Sequence, residues 1–318
     1  MSAPTARATP FGRLAVYLWE MFPPLAQVPM CVALFGTIYV GLQCLGGRSP
    51  VRIGWIGVAG AVGFVSFALL LRVYDELKDV ETDLRLGQAG DPRYRDRAIV
   101  TGRVQVGDLV ALRWGISVLL IVLHVPLGWP WPGAAFVVAF ALTWLSFKWF
   151  FWPAVSRNLL LAFVTHNPLA VVVGAWVMAV YVRAFGVAPD AWAIALMLLE
   201  WMPVAAWETA RKVRAPADET DYQTYSKLLG HRVAALLPVA FSAVGAAAAI
   251  ALWLRLELSW IYPAGVVAVT LGLAGASVRF VLRPGSATAN LRPFAEAFGV
   301  VATAGFVAAC CASAGVRF

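Results

Sequence analysis

The chain has 318 residues, of which 61% are hydrophobic and only 13% charged, with a mean hydropathy of +0.77 and a formal net charge of +8. That composition excludes a soluble globular domain. The excess of basic residues is expected to reflect membrane topology and attraction to anionic lipid, with no nucleic-acid partner.

A spanning helix needs about 20 apolar residues. Candidates in chain order lie near 23–45, 52–73, 106–127, 131–152, 158–181, 189–210, 233–254, 260–281 and 293–314. The expected fold is therefore all-α, an integral membrane bundle of nine transmembrane helices forming one domain over 1–318. Phe11 to Phe22 reads either as a short interfacial helix or as an untidy start to the first span. No cleavable signal is expected, because Arg13 precedes only a brief apolar run and Pro23-Pro24 lacks a small-residue cleavage pattern. Gly128-Trp129-Pro130-Trp131-Pro132 reads as a tight turn with aromatic interface anchors. Cys31, Cys44, Cys310 and Cys311 lie in apolar spans without CxxC spacing, which indicates neither zinc nor a disulfide.

The Lys and Arg distribution predicts orientation. With the N-terminus inside, 19 of the 25 basic residues fall on cytoplasmic segments, and Arg48, Arg52, Arg183, Arg255 and Arg317 fall outside. Arg113 lies within the third span. The expected setting is a bacterial cytoplasmic membrane, N-terminus in and C-terminus out. The two long polar segments, about 74–105 and 208–232, then carry the active site on the cytoplasmic side.

Only 17 acidic residues serve the chain, yet five fall within Asp75-Glu76-Leu77-Lys78-Asp79-Val80-Glu81-Thr82-Asp83. Asp75, Asp79 and Asp83 recur every four residues, and Glu76, Asp79 and Asp83 at three then four, so each series lies along one helical face. An exposed helix commonly interleaves bases at that spacing; here acids follow acids and need a counter-ion. Mg²⁺ suits carboxylate, water and phosphate oxygens. A solvated loop helix is the plainer reading.

The second polar segment holds Glu208, Arg211, Lys212, Arg214, Asp218, Glu219 and Asp221, with Pro216 breaking the helix at the membrane edge. Arg presents a fork that fits phosphate oxygens, and Lys a point charge. A positive-inside anchor with compensating acids is the alternative. Lys148 sits among Trp144, Phe147, Trp149, Phe150, Phe151 and Trp152, either snorkelling to the interface or facing a diphosphate. His166 and Asn167 lie within a span, where polar residues face the bundle interior. They serve either a helix–helix hydrogen bond or an acceptor pocket.

Together these residues resemble the UbiA superfamily of intramembrane prenyltransferases. That family has nine helices and an N/D-D-x-x-D-x-x-x-D motif after the second, matched here by Asp75-Glu76-x-x-Asp79-x-x-x-Asp83. Arg97-Ala98-Ile99-Val100-Thr101-Gly102-Arg103-Val104 is similar to its R-P-L-P-S-G-R-V stretch without the prolines. Lys148 falls in the fourth-helix lysine region, and Thr224-Tyr225-Ser226-Lys227-Leu228-Leu229-Gly230 resembles its T-L-x-x-x-x-G. The family's second motif, DxxxD, has no counterpart between 208 and 221. Glu208 with Arg211-Lys212, then Asp218-Glu219, stands in its place.

The resemblance implies Mg²⁺-dependent transfer of a prenyl group from an allylic prenyl diphosphate to an aromatic or other lipophilic acceptor, among membrane lipids. Asp75, Asp79 and Asp83 would be catalytic metal ligands with Glu76 assisting, and Asp218 and Glu219 would bind a second ion or orient the diphosphate. Arg97, Arg103, Lys148, Arg211 and Lys212 would hold the diphosphate, with Lys148 also catalytic, and His166 and Asn167 would line the acceptor pocket. Terpene cyclisation would use the same metal site. A transporter would instead place acids near mid-span, where Glu200 is the main example. Phosphatidyl-alcohol transfer lacks support, since no Asp-Gly precedes the first cluster.

Overall fold

The computed structural model describes residues 9–91, 94–220 and 222–318. Helix α1 (Pro10–Met21) precedes α2 (Pro24–Leu45), and α3 (Trp55–Gln88) and α4 (Val106–His124) follow. Next come α5 (Trp131–Phe147), the short α6 (Pro153–Arg157), α7 (Leu159–His166), α8 (Leu169–Phe185) and α9 (Ala193–Ala210). The chain finishes with α10 (Tyr225–Leu229), α11 (His231–Leu256), α12 (Ile261–Leu282), α13 (Ser286–Ala289) and α14 (Arg292–Ala314). Among the described residues eight helical stretches are long and apolar enough to span a membrane, and the 17-residue α5 is a shorter ninth. The expected all-helical bundle stands. The element at 10–21 is a helix, and its Thr9 cap accepts from the Gly12 amide at 3.2 Å.

Sequence explains most boundaries. Pro24 opens α2 at a position whose amide needs no intrahelical partner. Asn158 and Thr224 cap α7 and α10 through their side chains. Asp108 accepts from the Gln105 amide at 2.9 Å, closing a capping box, and also takes Arg13 in two bonds of 2.7 and 2.8 Å. One carboxylate thus both starts α4 and anchors α1 to it.

Between α5 and α6 the chain departs from the expected continuous span to 152. Trp149, Phe150 and Phe151 all take left-handed backbone angles, with φ of 50, 54 and 52°. Side chains with a Cβ avoid that region at a cost of roughly 1–2 kcal/mol each. The turn is therefore held by its surroundings and redirects the chain. The expected span 158–181 is likewise two helices, divided at Asn167-Pro168.

Helix α2 lies at the centre, packed on α3, α8, α9 and α14, with twelve of its 22 residues buried. A short parallel pairing of Val51–Arg52 with Val316–Arg317 joins the segments after α2 and α14. Helix α12 is far more open, its apolar surface facing where lipid would be. The 34 residues of α3 extend about 51 Å, against a hydrocarbon core of about 30 Å. Its last turns, from Asp75 on, therefore project beyond the apolar layer.

Candidate active site at the end of α3

Four of the five carboxylates on the projecting turns of α3 lie on one arc, and the structure separates them into two sets. Glu76 and Asp83 are buried, Glu76 accepting from Arg72 at 2.7 Å and Asp83 ion-paired with Arg97. Asp75 is half-open and takes Lys78 at 2.8 Å. Asp79 is solvent-accessible and has no ion-pair or hydrogen-bond partner among the described residues. Helical geometry accounts for the division: at 100° per residue Glu76 and Asp83 lie about 20° apart around the axis, while Asp75 is about 80° from Asp83. The two sequence series are thus a single arc, with one edge buried and the other open.

Asp79 is exposed on α3, with protein packed around its carboxyl. That protein environment raises its carboxyl above the usual range. Asp75 and Asp83 push the same way, and Lys78 and Lys212 oppose them. Asp83 is also raised by burial, against the opposing pull of Arg97.

Arg97 is delivered by the segment after α3, stacked 4.5 Å from the Tyr94 ring. This segment is fastened at two points. The Ala98 amide donates to Glu20 at 2.7 Å, and Val100 packs where a Cβ on Gly87 would meet it at 2.5 Å. Arg103 donates to Glu20 at 2.9 Å and to the Asp96 carbonyl at 2.8 Å, which ties it to α1. Lys148 lies exposed at the end of α5, its Nζ 4.6 Å from the Phe147 ring. Lys78, not singled out from sequence, is the lysine beside the carboxylates: its side chain is 6% exposed and its Nζ lies 4.5 Å from the Trp149 ring. Its position inside the acidic run, three residues after Asp75, was the available signal.

The left-handed turn forms the aromatic side of this region. His166 meets Trp149 and Phe150 edge-on, each at 5.3 Å, and its Nε2 lies 3.2 Å from the Ser146 carbonyl. It is close enough to Lys78 and Asp75 to feel both charges. Asn167 accepts from Trp201 Nε1 at 2.5 Å, linking α7–α8 to α9.

At the end of α9, Glu208 holds Arg211 at 2.6 Å and Lys212 at 2.9 Å. Asp75 acts electrostatically on Arg211, and Lys212 on Asp79, so these cations lie within electrostatic reach of the open carboxylates. Asp218 instead accepts from Ser286 at 3.0 Å, and both Glu219 oxygens accept from Thr224, at 2.7 and 2.8 Å. Asp221 lies outside the described residues. Arg211, Arg214, Asp218, Ser286 and Arg292 border a rim cavity of about 710 Å³ whose lining excludes Asp75 and Asp79. Glu200 is buried, with its Oε2 unpartnered among the described residues. One isolated carboxyl is not the chain of titratable groups that a proton relay uses.

No set of three or more His, Cys, Asp or Glu side chains converges as metal ligands among the described residues. Mg²⁺ does not require one, since it is commonly held by one or two carboxylates with substrate phosphates and water completing the octahedron. Asp75 and Asp79, one turn apart and open to solvent, fit that donor set.

The fold itself has solved counterparts. The chain superposes on a UbiA homologue from Aeropyrum pernix K1 with a TM-score of 0.62 and 18% identity, over 88% of this chain and 98% of that one. A structure of digeranylgeranylglyceryl phosphate synthase in membranes superposes with a TM-score of 0.54 and 12% identity, over 94% and 98%. No family model matches the sequence, and no curated protein matches it. The architecture is therefore that of an intramembrane helical bundle. More particularly, it is the UbiA fold, as the resemblance of the acidic motif implied.

Proposed function

We propose that this protein is an intramembrane prenyltransferase, transferring a prenyl group from an allylic prenyl diphosphate to a lipophilic or aromatic acceptor with release of diphosphate. The observation that carries this reading is the electrostatic reach between Asp75 and Asp79 on α3 and Arg211 and Lys212 just after α9, at one end of a UbiA-like bundle.

Ionisation of an allylic diphosphate leaves negative charge on the departing group and positive charge on the allyl fragment. Mg²⁺ held at Asp75 and Asp79 would supply Lewis-acid stabilisation of the leaving diphosphate. Arg211 and Lys212, held in place by Glu208, would bind the same oxygens. Lys78 keeps Asp75 oriented, while Arg97 neutralises Asp83 and leaves the open edge of the arc for the substrate. Trp149, Phe150 and His166 form a water-poor wall where the prenyl chain would meet its acceptor, and ring faces attract a developing cation. The exposed Lys148 and the α1-tethered Arg103 would add positive potential around the diphosphate.

The active site is read as cytoplasmic, following the Lys/Arg bias. Purified protein incubated with a series of allylic diphosphates, with and without Mg²⁺ and acceptor, tests the proposal by diphosphate release and product mass. Acceptor-dependent prenyl product that needs Mg²⁺ is expected. Product formed without any acceptor would instead establish cyclisation, and no diphosphate release with any substrate would overturn both.

A further inference from the structure

At the end of the bundle opposite the carboxylates, α2 packs on α14 and the segments that follow the two helices pair with each other. A Cβ on Gly41 would touch Phe306 at 3.1 Å, Ser49 Oγ donates to the Ala314 carbonyl at 2.8 Å, and Val51 pairs with Val316. The chain interval between partners is the same in all three pairs. Cys44 and Cys310 fall between these contacts at that interval to within one residue, and their thiols lie close enough to act on each other. Both are free cysteines. Cys310 is fully buried and Cys44 only partly so, which makes Cys44 the more accessible of the two residues.

We propose that Cys44 and Cys310 are an oxidisable dithiol that closes to a disulfide and covalently ties the first long helix, α2, to the last, α14. The pairing is a property of the tertiary register alone, because nearly the whole chain separates the two residues. The Lys/Arg bias places this end on the extracytoplasmic side, where disulfides form and persist. The chemistry proceeds by thiol–disulfide exchange with an external disulfide, either an oxidised protein dithiol or a small-molecule disulfide. The Cys44 sulfur attacks that disulfide, forming a mixed disulfide and releasing one thiol. Cys310 then attacks Cys44 as its own proton leaves, and the second thiol departs. One S–S bond is made and one is broken, and the oxidant takes up two electrons and two protons. Nothing in the step involves the carboxylate end, so the inference stands independently of the prenyl-transfer reading.

The full chain in detergent or membranes, treated with glutathione disulfide and then alkylated, tests this by peptide mass spectrometry. The expected product in the unaltered protein is a Cys44–Cys310 linked peptide, reversed by dithiothreitol and accompanied by a higher Tm. Cys310→Ser is expected to trap a glutathione adduct on Cys44 with no rise in Tm. Cys44→Ser should leave Cys310 unmodified, because the buried thiol has no partner to receive the disulfide. Cys311→Ser should behave as the unaltered chain, although Cys311 is the next residue. Overturning results are Cys44 and Cys310 both fully alkylated after oxidation of the unaltered chain, or a link made through Cys311. The first measurement uses no substitution, so misfolding of a variant cannot produce it.

Discussion

Lys78 reaches back one helical turn to Asp75, Nζ to Oδ1 2.8 Å, while the same Nζ lies 4.5 Å from the centroid of the Trp149 ring. A single cation therefore joins the acidic arc of α3 to the left-handed turn after α5. The ammonium is nearly enclosed while Asp75 remains half-open, so the pair presents its negative side to solvent. Lys78→Met keeps the volume and apolar stem but removes this link. It is expected to lower kcat/KM for an allylic diphosphate by about tenfold or more, since charge-assisted bonds are the strong positioning contacts. Lys78→Arg should retain part of the rate. Equal activity in Met and unaltered chains, by steady-state diphosphate release, would remove Lys78 from the site.

Asp79 is the uncommitted carboxylate of the arc. Asp79→Asn preserves shape, breaks no ion pair, and relieves repulsion from Asp75 and Asp83. Stability should be unchanged or slightly higher, while turnover should fall by roughly 100-fold or more if Asp79 is a metal ligand. Thermal melts and Mg²⁺ titrations of activity on the same preparation separate the two effects. Near-normal turnover would contradict the ligand role.

Gly87 controls the placement of Arg97 from a distance. An added Cβ would stand 2.5 Å from Val100 Cγ1, and Val100 is a stiff β-branched side chain. Gly87→Ala should push the 94–103 segment off α3 at a cost of about 1–3 kcal/mol. The Arg97–Asp83 pair would loosen with it. The expected reading is lower activity with a raised KM for the diphosphate substrate; Val100→Ala in the same chain should restore much of it. Failure of the second substitution to rescue would assign the loss to another cause.

Trp201 donates to Asn167 at 2.5 Å where α7 and α8 meet. Trp201→Phe leaves the buried amide oxygen without that donor, a loss of about 1–3 kcal/mol. Tm should fall by several degrees, whereas Trp207→Phe should be milder. Trp207 lies in a more open cluster, its Nε1 donating to Glu296 at 3.2 Å while Arg292 also pairs with that carboxylate. A Tm for Trp201→Phe at or above that of the unaltered chain would show that the amide finds another donor.

Hydropathy determined the bundle from sequence alone, because only a helix or a closed barrel satisfies its own backbone within lipid, and runs of about 20 apolar residues fit the former. The acidic arc on α3 was also legible, since four-residue spacing places side chains on one face in any helix. Three things required the tertiary structure. Which carboxylates are buried and which open depended on where Arg72, Arg97 and Lys78 came to rest. The break after Phe147 was invisible, because an aromatic run interrupted only by Lys148, with no Gly or Pro from 147 to 152, carries no local signal for three left-handed residues. The electrostatic reach between α3 and the cations just after α9, and the closeness of Cys44 to Cys310, arise from packing between segments far apart in the chain. Local pattern encodes the direction in which a side chain leaves its own helix; what it meets there is decided only when helices pack.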